Sequence, residues 1–142
     1  MTVTNAQTVE LRLEAHPENL ALARLALVGV ASNARAPRDV ISDLKLAVTE
    51  ACTNVVKHAY GADEVGEIVV RYTVEPGSII VAVEDTGGGF ELAGHLRGET
   101  SRNGGQHGMG LMIIRVLSDE LDISSSSSGT RLVLRKRFSP ES

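Results

Sequence analysis

Ile79-Ile80-Val81-Ala82-Val83 is apolar at every position and runs directly into Glu84-Asp85 and Thr86-Gly87-Gly88-Gly89. A run with no polar alternate has no face to offer water, so it predicts a strand in the middle of a sheet. Asp85 then sits at the strand's end, where a carboxylate can point into a cleft and accept hydrogen bonds from an amino group. Gly87 and Gly89 remove side chains where the backbone bends, which leaves room for a flat ring. A plain glycine-rich turn has the same composition; the buried strand feeding this one favours a binding edge.

The neighbouring segments build the sheet outward. Upstream, Ile68, Val70, Tyr72 and Val74 alternate with Val69, Arg71 and Thr73, and Pro76-Gly77 supplies a tight turn into the central strand. Further upstream, Val9, Leu11 and Leu13 alternate with Glu10, Arg12 and Glu14, which is the period of a half-buried strand. Two helices lie between. Pro17 opens the first, which runs to about Asn33 and is broadly apolar. Burial within the domain and a partner or dimer surface account equally well for that breadth. The second runs from Ala36-Pro37-Arg38-Asp39 to about Tyr60. At about 100° per residue, Val40, Ile41, Leu44, Ala47, Val48, Ala51, Val55 and Ala59 share one stripe. Asp43, Glu50, Asn54 and Lys57 follow one flank of it, with His58 near that side. Cys52 at the other edge is expected to be a small buried hydrophobe.

Downstream, residues 91–107 keep no helix or strand period, and a loop that long is usually functional or disordered. Gly108-Met109-Gly110 is expected to open a short helix. Leu121 and Ile123 begin a strand, the serines from Ser124 to Ser128 read as a flexible turn, and Thr130 to Phe138 is the last strand. Its Arg131, Arg135, Lys136 and Arg137 suit a solvated sheet edge. The order β-α-α-β-β-loop-α-β-β predicts an α/β two-layer sandwich, with a mixed, mainly antiparallel five-stranded sheet and three helices on one face.

The composition narrows the class. The chain's 142 residues suit a single domain, 1–142, with 1–8 loose. Only 3% of residues are aromatic, so the core must be aliphatic. A net charge of −4 argues against direct nucleic-acid binding. One cysteine excludes an internal disulfide and a cysteine-rich zinc site. With no apolar run of bilayer length and no leader pattern, a cytoplasmic protein without a membrane role is expected.

Glu50 and Asn54 are four apart, so both side chains leave one side of their helix. A carboxamide oxygen is a hard ligand suited to Mg²⁺, and a carboxylate beside it can accept a proton from an attacking hydroxyl. A helix start at Gly108-Met109-Gly110 would offer backbone N–H groups to phosphates. Neither the phosphate-binding Gly-x-x-x-x-Gly-Lys-Ser/Thr loop nor the dinucleotide fingerprint is present.

At these residues the sequence resembles the GHKL (Bergerat-fold) ATPases, and within them the bacterial anti-sigma-factor serine kinases. Glu50-Ala-Cys-Thr-Asn54-Val-Val-Lys57-His58-Ala59-Tyr60 looks like the family's N box. Asp85-Thr-Gly87-Gly-Gly89-Phe90 resembles its first glycine box, Gly108-Met109-Gly110-Leu111 the second, and Gly129-Thr130 its late Gly-Thr pair. The resemblance implies ATP and Mg²⁺ as cofactors, Glu50 as general base and Asn54 as the metal ligand. It implies that Asp85 receives the adenine amino group, with Thr130 beside it. Lys57, Gly87, Gly89, His107, Gly108, Met109, Gly110 and Leu111 would also border the nucleotide, under a lid formed by 91–107. It further implies a homodimer that holds a sigma factor and phosphorylates a serine of an anti-anti-sigma partner with a STAS-type fold. Related kinases often carry an arginine before the second glycine box; this chain has Gln106 and His107 there, and His107 or Arg102 would have to supply the positive group. That departure leaves open an alternative, a nucleotide-gated binding module with weak or no kinase activity. A histidine-kinase catalytic domain would need a phosphoacceptor histidine and dimerisation helices, which the residues before Val9 do not provide.

Overall fold

The computed structural model describes residues 7–58, 66–86 and 104–141, with only the backbone of 58 and 104–108. Strand β1 (Gln7–Glu14) is followed by a 3-10 turn (Pro17–Asn19) and helices α1 (Leu20–Asn33) and α2 (Arg38–His58). Then come β2 (Glu67–Glu75), β3 (Ser78–Asp85), helix α3 (Gly104–Leu117), β4 (Glu120–Ser126) and β5 (Gly129–Arg137). The expected element order is reproduced. Strand β1 starts earlier than the loose 1–8 segment allowed, and Thr8 Oγ1 pairs with Thr73 Oγ1 at 3.0 Å.

The sheet order is β1-β2-β3-β5-β4, which puts the wholly apolar run at the centre. Every neighbouring pair of the described strands is antiparallel, so the expected mainly antiparallel sheet contains no parallel pair among them. Connectivity explains this. Two helices between β1 and β2 carry the chain out and back, so the two strands run oppositely. Strand β4 does run in the direction of β3, but β5 inserts between them. The same insertion corrects the expected solvated edge: β5 is internal. Its charges are matched by carboxylates, Arg131 to Glu84 at 2.8 Å, Arg135 to Glu75 at 2.9 Å, Lys136 to Asp43 at 3.5 Å, and Arg137 to Glu120.

The two faces of the sheet differ in chemistry. Ile68, Val70 and Tyr72 from β2, Ile79, Val81 and Val83 from β3, and Leu132 and Leu134 from β5 join one core with the helices. On the opposite face Arg71 bridges Glu10 at 2.6 Å and Glu84 at 2.9 Å. The Arg71 hydrogen bond holds the Glu10 carboxyl below its ordinary range. These pairs are solvated and contribute little to stability; their effect is to keep that face wet and the helices on the other.

Helix α1 buries Ala23, Leu27 and Ala31, spaced four apart, against this core. Leu22 and Leu25 on its outer side remain 49% and 70% exposed, so burial within the chain accounts for only part of the apolar breadth. Cys52 is buried as expected, and desolvation pushes its thiol up to about 12, leaving it inert at neutral pH. The fully buried Tyr72 donates its hydroxyl to the Ala23 carbonyl at 2.7 Å, tying the first helix to the second strand. Tyr72→Phe leaves that carbonyl without its partner and should lower the unfolding free energy by about 1–2 kcal/mol, measured by urea titration.

Candidate functional site

Helix α2 divides as its periodicity predicts. Val40, Leu44, Ala47, Val48, Ala51 and Val55 are buried, and Ile41 is partly so. The polar flank is less uniform than expected. Asp43 pairs with Lys136, Glu50 is partly buried, Lys57 is exposed, and Asn54 is only 5% exposed. The Asn54 Nδ2 has no hydrogen-bond partner among the described residues. An unpaired buried amide costs about 1–3 kcal/mol, so its retention calls for an explanation.

Helix α3 closes over this part of α2. A Cβ added at Gly110 would lie 3.1 Å from Glu50 Oε2 and 3.6 Å from both Asn54 Nδ2 and Oδ1. Glycine at that position lets the helices approach with the carboxylate and carboxamide held between them. The first and third motifs of the sequence therefore meet. Their geometry differs from expectation in one respect. Helix α3 begins at Gly104, so Gly108, Met109 and Gly110 lie within its second turn. The unpaired N–H groups of an α-helix belong to its first four residues, here 104–107. Gly104-Gly105-Gln106-His107 contains no proline or capping side chain to fix a start at Gly108, and the ladder extends through it. The expected lid thus loses its last four residues to the helix. Residues 91–103, Gly87 and Gly89 lie outside the described residues, as do the side chains of Gln106 and His107. Met109 is 62% exposed, whereas Leu111 packs into the core.

The second and fourth motifs meet at the end of the sheet. Asp85 and Thr130 are cross-strand partners in β3 and β5, and both are buried. Gly129 has φ +142, and a Cβ there would lie 2.0 Å from the Asp85 carbonyl oxygen. Only glycine permits that approach. A cavity of about 290 Å³ opens beside them, lined by Asp85, Ser125, Ser126, Gly129 and Thr130 among others. Ser125 Oγ lies 3.3 Å from Thr130 Oγ1. The serine run is not all turn: Ser124 to Ser126 belong to β4, and only Ser127 and Ser128 turn. The missed signal is the alternation that places Ser125 opposite Thr130.

The two glycines constrain different things, and substitution separates them. Gly129→Ala drives a Cβ into fixed backbone and should cost more than about 2 kcal/mol of stability. Gly110→Ala meets mainly the movable end of Glu50 and should unfold within about 1 kcal/mol of the parent. Thermal and urea denaturation of both variants checks the contrast.

Comparison with known proteins agrees with this geometry. The family model described as Histidine kinase-like ATPase domain matches residues 13–136. Serine-protein kinase RsbW of Bacillus velezensis is 37% identical over 134 residues, covering 89% of this chain and 84% of that protein. Serine-protein kinase RsbW of Listeria monocytogenes is 38% identical over 122 residues, covering 81% and 78% respectively. The solved structure of the RsbU and RsbW domains of Rv1364c from Mycobacterium tuberculosis superimposes with a TM-score of 0.69 at 22% identity. That match covers 92% of this chain and 32% of the other, and at that identity it speaks for the fold. A polar pair clamped between two helices, a carboxylate at the end of a buried central strand and these matches agree. The chain belongs to the histidine kinase-like ATPase family.

Proposed function

We propose that this chain is an ATP-dependent protein-serine kinase that also captures a sigma factor, acting in the cytoplasm as a single domain and as a homodimer. The observation that carries the reading is the buried Asn54 carboxamide, whose Nδ2 has no hydrogen-bond partner among the described residues, held with Glu50 beside Gly110. Support for the reaction type comes from relatives at 37% and 38% identity that are named serine-protein kinases.

In this reading Asp85 accepts hydrogen bonds from the adenine amino group, and Thr130 and Ser125 border the ring in the adjoining cavity. Among the described residues no three His, Cys, Asp or Glu side chains cluster closely enough to hold a metal. The residues fit a Mg²⁺ that takes the Asn54 carboxamide and completes its shell with phosphate and water oxygens. When bound, that ion would neutralise charge on the transferring phosphoryl group. Glu50 lies beside Asn54 and accepts the proton of the attacking serine hydroxyl as the new oxygen–phosphorus bond forms. The bond from the γ-phosphorus to its bridging oxygen breaks, and ADP leaves. Gly110 keeps Glu50 and Asn54 in fixed relation, so base and ligand act on one substrate geometry.

The acceptor is a serine on an anti-anti-sigma protein of STAS-type fold. Its phosphorylation changes which partner the kinase retains. The resemblance of the four boxes supports this partner choice, and the exposed Leu22 and Leu25 on α1 offer apolar area for a protein contact. No helix among the described residues is long and apolar enough to cross a membrane.

Glu50→Gln is the direct test, since it keeps shape and removes the base. With γ-labelled ATP and a STAS-domain substrate, phosphoserine formation should fall by about a hundredfold or more while ATP affinity holds. Equal transfer by the variant and its parent would remove Glu50 from the mechanism.

A further inference from the structure

A second site lies at the other end of α2. Between α1, the α1–α2 connection and the segment after β5 is an open cleft of about 500 Å³. Arg35, Arg38 and Lys45 line it, together with the hydroxyl-bearing Ser32 and Ser42 and with Glu141 at its rim. Elsewhere among the described residues Arg12, Arg71, Arg131, Arg135, Lys136 and Arg137 pair with carboxylates, while Arg24, Lys57 and Arg115, one on each helix, have no ion pair there. The three cleft cations make no ion pair among the described residues. A chain of net charge −4 has thus gathered three unmatched positive groups around one concavity.

The backbone adds a second observation. Helix α1 ends with Ala36 N–H bonded to the Ala31 carbonyl and Arg35 N–H bonded to that of Ser32. That closure places the residue at Arg35 in the left-handed region, and its φ is +62. Glycine usually fills such a position because a Cβ there is strained. An arginine is held at this glycine position, and it lines the cleft. Strain kept at one charged residue points to a use for the charge.

A third observation bears on what the cleft takes. The Glu141 N–H donates to the Arg35 carbonyl at 2.8 Å, so a peptide N–H already pairs with the cleft wall. Its carboxylate makes no ion pair with the three cations. Taken together, we infer that this cleft is a docking site for an acidic peptide segment of a protein partner. Its carboxylates would meet Arg35, Arg38 and Lys45, and its backbone N–H would compete with that of Glu141 for the Arg35 carbonyl. Arg38 and Lys45 lie on α2 ahead of Glu50 and Asn54 and take no part in the nucleotide reading, so the inference stands independently of it.

The test uses the full chain and a fluorescein-labelled, end-capped hexaglutamate peptide, read by fluorescence anisotropy at low and high salt. The parent should bind it, and salt should weaken the complex. Arg38→Gln/Lys45→Gln should bind about tenfold more weakly or worse, while ATP titration of that variant matches the parent. Arg12→Gln/Arg115→Gln removes the same charge away from the cleft and should bind like the parent. Arg35→Gly should lose affinity with no loss of thermal stability, since the left-handed position suits glycine. Equal binding by the cleft variant and the parent overturns the inference, as does equal binding of a capped hexaglutamine peptide. Inorganic phosphate that displaces the peptide at concentrations matching the peptide's own affinity would mark a small-anion site instead, and would also overturn it.

Discussion

The structure depends on one helix meeting two incompatible demands. Helix α2 must be apolar enough to anchor the core, and it must hold a carboxylate and a carboxamide at the margin of that core. Val48, Ala51 and Val55 meet the first demand, and Glu50 and Asn54 the second. The cost falls on Asn54, whose Nδ2 is buried with no hydrogen-bond partner among the described residues. Removing an amide from water without a compensating hydrogen bond is unfavourable, and a purely structural helix would carry an apolar residue there. Gly110 then removes a side chain from α3 so that the second helix can close over the pair. The opposite end of the site repeats this logic in the sheet, where Gly129 lets β5 pass against the Asp85 carbonyl and so fixes Thr130 opposite Asp85.

Much of this was legible in the sequence because it is written in local periods. The alternation of β2, the unbroken apolar run of β3 and the stripe of α2 each follow from residues within one element. What stayed hidden depends on partners distant in sequence. The position of β5 between β3 and β4 is a matter of strand order, and the charges of Arg131 to Arg137 look the same at an edge or inside. The start of α3 was misplaced because Gly104 and Gly105 are compatible with loop and helix alike. Serine is compatible with both strand and turn, and only pairing with β5 assigned Ser124 to Ser126. Helical geometry placed Asn54 on the correct flank but did not reveal its depth, which is set by the helix that closes over it.

The charges divide the molecule into regions with different work. On the open face of the sheet, carboxylates and guanidiniums alternate and neutralise one another, which keeps that face solvated. On the C-terminal half of α2, Glu50 and Asn54 face Gly110 of α3. Around Arg35, Arg38 and Lys45 the positive charges line a cleft and have no ion pair among the described residues. A kinase that must hold one protein partner and modify another gains from contact surfaces remote from its chemistry. That cleft and the exposed leucines of α1 are two such surfaces on one side of the core.

The central claim is that the buried carboxamide exists to hold a metal-bound nucleotide. It is tested most directly by calorimetric titration of ATP, with and without Mg²⁺, into the parent and Asn54→Ala. The account predicts that Mg²⁺ tightens ATP binding by the parent. It also predicts that Asn54→Ala retains the Mg²⁺-free affinity and loses the gain. Identical Mg²⁺ dependence in both proteins, or no ATP binding by the parent, would contradict it.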